Sequence, residues 1–150
     1  MLDGSRPFTR STGADRQYHA TGLSHIVVSR RLDHDRTASS QFHGMGGPAP
    51  SAVVWINGRQ AVVAAMSHDG RVSTCEITRG SLTEPSYLAQ VIRVIGDRQR
   101  VMILGPSFHR LALEREYVAT FRRPDRLVDV EPEGVVSPEE LVIRLRTLAA

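Results

Sequence analysis

Histidine and cysteine are the residues with which the sequence could build a metal site or a reactive thiol. A structural zinc site needs four such ligands at short, regular spacings. Four of the six histidines instead fall at wide, irregular intervals in the first fifty residues: His19, His25, His34 and His43. Cys75 has no second cysteine to bond, so we interpret it as a small strand residue of a protein in a reducing compartment. We predict no metal site and no cofactor.

A short loop at Gly105 and Pro106 is a candidate anion site. It precedes a predicted helix that carries His109 in its first turn, and the free N–H groups of a helix N-terminus attract anions. An ordinary tight turn is the alternative, because one glycine is far from a phosphate-binding loop. Ser107 has no neighbouring base that would make it a nucleophile, so we interpret it as the helix N-cap.

The basic residues of this chain are all arginine: there are 19, and no lysine. We interpret this inventory as a coding bias rather than a sign of function, and the formal net charge is only +3. Clustering, rather than number, marks a nucleic-acid face. The residues predicted to bind RNA or a partner are Gly105, Pro106, His109, Arg110, Arg122, Arg123 and Arg126. A solvated charged face around the second predicted helix is the alternative for these arginines.

The first fifty residues differ in composition from the rest of the chain. They are rich in serine, threonine, glycine, arginine, histidine and aspartate, which predicts a disordered arm over 1–50 that ends in a Gly/Pro linker. No segment approaches the ~18 apolar residues of a membrane span, and residues 1–6 lack the apolar run of a signal peptide. We therefore predict a cytoplasmic protein without a membrane partner, with one domain over 51–150.

Five strands are predicted within this domain, at residues 52–56, 61–66, 71–77, 101–104 and 127–130. Asn57-Gly58 between the first two is a strong hairpin signal, so the first three strands form an antiparallel meander. The runs at 61–66 and 101–104 are apolar throughout, as in strands covered on both faces. Trp55 lies in such a run and is expected in the core rather than stacked on a base.

Three helices are predicted after the meander. Thr83-Glu84-Pro85 begins the first, residues 108–121 form the second, and Ser137-Pro138-Glu139-Glu140 begins the third as a capping box. Three strands followed by two right-handed crossovers and a final helix give the ribonuclease H-like arrangement. We predict an α/β fold with a five-stranded mixed sheet in the order 3-2-1-4-5, its second strand antiparallel to the rest, and helices on both faces.

Metal-dependent nuclease chemistry on this fold needs acidic side chains that converge from the first and fourth strands and a late helix. Residues 53–56 and 101–104 contain no acid. Asp129 and Glu131 lie at the fifth strand and Glu76 on the third, where we interpret them as surface acids. The sequence therefore predicts no nuclease, and no enzyme of another class.

Three stretches together resemble a known family. They are AVVWINGRQA at 52–61, VMILGP at 101–106, and DVE at 129–131 leading to SPEEL at 137–141. In this order they are similar to bacterial single-domain relatives of the archaeo-eukaryotic peptide chain release factors and of Pelota-type surveillance factors. The resemblance is to the middle domain of those factors, which has a ribonuclease H-like fold, and covers about residues 52–149.

The chain departs from release factors of that family at the loop that enters the peptidyl-transferase centre. Those factors carry Gly-Gly-Gln between the third strand and the first helix, whereas residues 78–83 hold no such tripeptide. Gly46-Gly47-Pro48 precedes the first strand and has proline in place of glutamine. The resemblance therefore implies contact with the ribosome, without peptide release.

Two functions follow as expectations. The first is a non-catalytic, translation-associated module that binds the ribosome or structured RNA through the arginines named above. The second is a protein-interaction or self-association module, with a partner on an exposed third strand or on the arm.

Overall fold

The computed structural model describes residues 26–29 and 47–150. Its elements, in chain order, are β1 (Ile26–Ser29), β2 (Ser51–Ile56), β3 (Gln60–Met66), β4 (Val72–Thr78), α1 (Glu84–Ile95), β5 (Arg100–Gly105), α2 (His109–Phe121), a 3-10 turn (Pro124–Arg126), β6 (Leu127–Pro132) and α3 (Pro138–Ala149). None of the helices in these ranges has the length and apolar character needed to cross a membrane.

The sheet has the predicted strand order. Its strands lie side by side as β1-β4-β3-β2-β5-β6, so the five predicted strands follow the order 3-2-1-4-5. β3 pairs antiparallel with both β2 and β4, whereas β5 pairs parallel with β2 and with β6. The α/β fold, the mixed sheet and the position of the parallel strand β5 inside it are therefore confirmed.

The sheet also contains a strand that we did not predict. Residues Ile26–Ser29 fall in the predicted arm, but they pair antiparallel with β4, from Ile26 opposite Ile77 to Ser29 opposite Thr74. The expectation that the third domain strand has an open outer edge is therefore wrong, because β1 occupies that edge. Isoleucine and valine favour extended backbone, and an unpaired strand edge supplies the missing partner. Of the rest of the predicted arm, residues 1–25 and 30–46 lie outside the described residues, and residues 47–50 lead into β2.

Two apolar cores hold the helices on opposite faces of the sheet. Helices α1 and α2 cover one face, where Val54, Ile56 and Ile103 are buried. Helix α3 covers the other, where Val53 and Trp55 are buried. Because successive side chains of a strand point to opposite faces, the apolar run 52–56 of β2 supplies both cores at once.

The helix ends follow the predicted capping chemistry. The Thr83 hydroxyl accepts a hydrogen bond from Ser86 N at 3.4 Å, and the Ser137 hydroxyl accepts one from Glu140 N at 3.2 Å. Gly96 ends α1 with a positive φ of 68°. The Thr83 and Ser137 caps therefore fix the residues at which α1 and α3 begin.

Strand β6 contains a bulge. Val101 of β5 pairs with Leu127, whereas the next residue, Met102, pairs with Asp129, so Val128 is an extra residue on β6. Val128 is 53% exposed.

Candidate nucleic-acid interface

The strands β2, β4, β5 and β6 all run in one direction, so their carboxyl ends meet at one end of the sheet. We call this the carboxyl end. The loops that leave it are residues 57–59, 79–83, 106–108 and 133–137. Open α/β sheets bind ligands outside the carboxyl ends of their strands. The predicted anion loop therefore lies where this architecture places binding sites.

Gly105 and His109 pack tightly at the carboxyl end. A Cβ atom on Gly105 would lie 2.1 Å from the carbonyl oxygen of Ile56, so no larger residue fits there. The His109 ring is 8% exposed and lies so close to Gly58 that a Cβ on that glycine would sit 2.9 Å from its Cε1. Phe108 stacks on the same ring at 4.2 Å. Pro106 is exposed. The ring of His109 thus fills the space between α2 and the β2–β3 turn.

Ser107 has a base beside it, so the prediction that it lacks one is wrong. Its Oγ lies 2.9 Å from His109 Nδ1 and also accepts a hydrogen bond from His109 N at 3.4 Å. The chain turns sharply before α2, and this turn brings the side chains of Ser107 and His109 next to each other. Activation of a serine also needs a group that orients the base, and no carboxylate within residues 47–150 bonds to this imidazole. The N-cap residue of α2 is Phe108, and no side chain caps this helix, so the prediction that Ser107 is the N-cap is wrong.

Arg110 is held against the loop rather than extended into solvent. Its Nη1 donates to the carbonyl oxygens of Ser107 at 3.0 Å and Gly105 at 3.5 Å. Its Nε is buried without a hydrogen-bond partner. Arg110 therefore stabilises the loop through its Nη1 group.

The carboxyl end contains two further arginines that the sequence analysis missed, Arg59 and Arg79. They line a groove of about 460 Å³ between the β2–β3 turn and the β4–α1 loop, formed by residues 58–59 and 78–82. We call it the Arg79 groove. Arg59 lies three residues after the end of β2, and Arg79 directly follows β4. This position after two parallel strands is the sequence pattern that could have predicted a shared site.

Tyr87 of α1 contacts the β2–β3 turn, which forms one wall of this groove. Its hydroxyl donates to the carbonyl oxygen of Asn57 at 3.2 Å, and Asn57 Oδ1 accepts from Arg59 N and Gln60 N at 2.8 and 2.9 Å. Burial raises the pKa of Tyr87 well above its usual value, and the nearby charge of Arg79 opposes that rise. The side chain of Asn57 and the hydroxyl of Tyr87 therefore both hold the β2–β3 turn in place.

The other three predicted arginines lie at the far end of α2, which we call the α2 corner: Arg122, Arg123 and Arg126. Arg122 and Arg123 are exposed. Arg123 pairs with Asp125 at 3.5 Å between two largely exposed side chains. Arg126 is different, because its guanidinium pairs with Asp97 and donates to Arg98 O at 3.2 Å, leaving its side chain 17% exposed.

The structure separates the predicted arginines into two groups. Arg110 lies in the first turn of α2 and Arg122 directly follows its last residue, so the helix places them about 18 Å apart. Arg110 also lies at the carboxyl end of the sheet, whereas the α2 corner lies near the start of β6. A single phosphate group cannot contact both groups, although an extended RNA strand can.

The acids considered for nuclease chemistry do not come together. Glu131 bonds to Arg144 of α3 at 3.3 Å, and Asp129 Oδ1 accepts from Val130 N at 2.8 Å. Glu76 lies on β4, separated from β6 by the three strands between them. Within residues 47–150, no three metal-ligating side chains are grouped around a common point.

A second groove lies on the α3 face of the sheet. It has a volume of about 530 Å³, and Met102, Val128 and Ile143 line it together with Arg100 and Arg144. Val128 and Ile143 are 53% and 65% exposed. Helix α3 packs mainly over β2 and β3, which leaves this part of β5 and β6 uncovered.

Solved structures with a similar fold include two archaeal proteins. Pelota of Archaeoglobus fulgidus matches with a TM-score of 0.51 and 15% sequence identity, over 67% of this chain and 32% of the Pelota chain. Pelota of Thermoplasma acidophilum matches with a TM-score of 0.49 and 20% identity, over 67% of this chain and 33% of that chain. The chain thus spans about a third of the length of these proteins.

The similarity to Pelota concerns the fold alone at this level of identity. The described domain has the α/β fold of a Pelota domain. No protein-family model matches the chain, and the search of curated proteins gave no match. The likeness to bacterial single-domain relatives stays a prediction.

Proposed function

We propose that this domain is a non-catalytic, translation-associated module that binds the ribosome or structured RNA in the cytoplasm. The observation that carries the proposal is the exposed pair Arg122 and Arg123 on a domain with the fold of a Pelota domain. Arginine presents a planar fork of donors that suits phosphate, and an exposed arginine can reach an RNA backbone. Resemblance to release factor and Pelota middle domains supplies the expectation of ribosome contact.

The α2 corner favours this proposal because its charges differ in availability. Arg126 is committed to Asp97 and to a backbone carbonyl. Arg122 has no carboxylate partner among the described residues, and Arg123 has an exposed one. Exposed ion pairs contribute about 0–1 kcal/mol, so a phosphate can displace Asp125 from Arg123 at little cost. We expect Arg122 and Arg123 to contribute more affinity than Arg126.

The test is co-sedimentation of the full chain with ribosomes across a salt series. Replacement of both residues, R122Q/R123Q, is expected to lower affinity and to reduce the dependence of log Kd on log salt by about 0.7–0.9 for each phosphate that the variant no longer neutralises. The matched control R71Q/R93Q removes two exposed charges elsewhere and is expected to have a smaller effect. Unchanged affinity and slope in a folded R122Q/R123Q variant would contradict the role of the α2 corner.

The proposed absence of catalysis has its own test. The full chain with Mg²⁺ is expected to leave an RNA–DNA hybrid and peptidyl-tRNA intact, because Asp129, Glu131 and Glu76 do not converge on a metal site. Cleavage of the hybrid that is abolished in D129N or E131Q would overturn this part of the proposal.

A protein-interaction module is the second candidate. The groove at Met102, Val128 and Ile143 favours it, since exposed apolar side chains next to each other mark protein contacts. If the chain fails to bind ribosomes at low salt and self-associates in sedimentation-velocity experiments, this second function replaces the first.

A further inference from the structure

We propose that the Arg79 groove binds a phosphate group of an RNA strand, with Arg79 as a pre-positioned clamp and Arg59 as a second cationic contact. This inference rests on the proposed function and adds a contact site that is separate from the α2 corner. It identifies the chemical group that the carboxyl end of the sheet recognises.

The geometry of Arg79 is the first step. Its Nε donates to Leu82 O at 3.2 Å and its Nη1 donates to Gly58 O at 3.4 Å. The guanidinium therefore bridges the two walls of the groove and is fixed before any ligand arrives. Its Nη2 donates no hydrogen bond to residues 47–150. A fixed guanidinium with free donors binds an oxyanion with little further loss of side-chain entropy.

Charge is the second step. None of the ion pairs between described residues involves Arg59 or Arg79. Arg59 is exposed, and Arg79 is half-buried with no acidic partner among those residues. Arg79 N donates to Arg59 O at 2.8 Å, so the two residues are adjacent across the pair of loops. Two neighbouring positive charges without counter-ions favour an anionic ligand.

The shape of the groove is the third step. Its lining includes Gly58 and Gly80, and a Cβ at Gly80 would meet no atom within 4 Å. Thr78 and Ser81 add hydroxyl groups that can donate to a phosphate oxygen. A site that is open to solvent and lined by small residues allows a polymer backbone to enter and leave. These features favour an RNA strand over a ligand that must be enclosed.

The experiment uses the full chain and a fluorescein-labelled 12-nucleotide oligouridine, with anisotropy measured across a salt series. R79Q and R59Q are each expected to raise Kd about 3- to 10-fold and to reduce the salt slope by about 0.7 for each phosphate left without its arginine. R93Q, which removes an exposed charge on α1, is the matched control and is expected to change Kd less than about 2-fold. In ¹⁵N-labelled protein, the amides of Gly58, Gly80 and Ser81 are expected to shift on titration with the same oligonucleotide.

The variants distinguish a binding role from a structural one. R79Q removes two hydrogen bonds to carbonyl groups, so its thermal melt is compared with that of the wild type. The side chain of Arg59 makes no hydrogen bond with the described residues, so R59Q tests the site even if R79Q does not fold. R79K retains the charge without the planar fork, and an affinity between those of wild type and R79Q is expected.

Four results would overturn the inference. The first is that R59Q and R79Q both behave like R93Q. The second is that a glutamate decapeptide binds as tightly as oligouridine and with the same sensitivity to R79Q, which makes the groove a carboxylate site. The third is that the wild-type chain binds neither oligouridine nor ribosomes, in which case the proposed function fails as well. Ribosome binding that R122Q/R123Q weakens and R59Q/R79Q does not would refute the groove alone.

Discussion

Replacement of Gly105 by alanine tests how closely β2 and β5 must approach at the carboxyl end. The new Cβ would lie 2.1 Å from Ile56 O and 3.2 Å from Ile56 C. Both are backbone atoms, so no side-chain rotation relieves the contact. The strands must separate by roughly 1 Å to reach ordinary contact, although hydrogen-bonded neighbours have a fixed spacing of about 4.8 Å.

The energetic cost of G105A follows from this separation. Breaking one or two ladder hydrogen bonds costs about 1 kcal/mol each, and overpacking costs about 1–3 kcal/mol. We therefore expect the free energy of unfolding to fall by about 2–4 kcal/mol. For a domain of this size that corresponds to a fall in melting temperature of about 10–20 °C.

Urea denaturation followed by circular dichroism, with a thermal melt, measures this fall in stability. G134A is the matched control, because a Cβ at Gly134 would meet no atom within 4 Å, and its stability is expected to stay within about 0.5 kcal/mol of the wild type. A G105A variant as stable as G134A would refute the close contact between Gly105 and Ile56. It would also remove the physical basis for the position of the loop that follows β5.

Three further perturbations test features of the turns, α1 and α3. Arg122 adopts a left-handed backbone conformation at φ 54°, which glycine adopts more easily than arginine. R122G is therefore expected to raise the free energy of unfolding, measured by urea denaturation, by up to about 1 kcal/mol; a lower value than in wild type would contradict this. Burial raises the pKa of Tyr87, so its stabilising effect is complete below the unfolded pKa of about 10 and disappears as pH rises towards the folded value. Above about pH 10 the melting temperature is therefore expected to fall less steeply with pH in Y87F than in wild type. Equal slopes in the two proteins would contradict this. Arg144 forms ion pairs with three carboxylates, so R144A is expected to lower the free energy of unfolding by about 1 kcal/mol at low salt and by less at about 1 M salt. A loss of stability that does not depend on salt would contradict an electrostatic role.

The sequence was sufficient for the parts of the fold that depend on local chemistry. Asn57-Gly58 predicts the β2–β3 turn because asparagine bonds to the backbone two and three residues ahead, as it does here. Thr83 and Ser137 predict helix starts for the same local reason. Wholly apolar runs such as residues 52–56 indicate strands that are covered on both faces.

Long-range contacts explain what the sequence did not predict. Ile26 pairs with Ile77, and nothing near Ile26 in the chain indicates that partner. Arg59 and Arg79 meet only because β2 and β4 end at the same side of the sheet. Arg126 looked like a free charge in the sequence, but its guanidinium is bound to Asp97 and to a carbonyl that lies 28 residues away in the chain.

The bulge in β6 has a consequence for the behaviour of the protein at high concentration. An unprotected outer strand can pair with the same strand of another molecule and begin a fibre. On β6 the extra residue Val128 breaks the regular ladder, the exposed charge of Asp129 follows it, and Pro132 ends the strand without an N–H group. Fibre growth from this side is therefore disfavoured. At the opposite side the outer strand is β1, so β4 can pair with a strand of another molecule only if β1 is displaced.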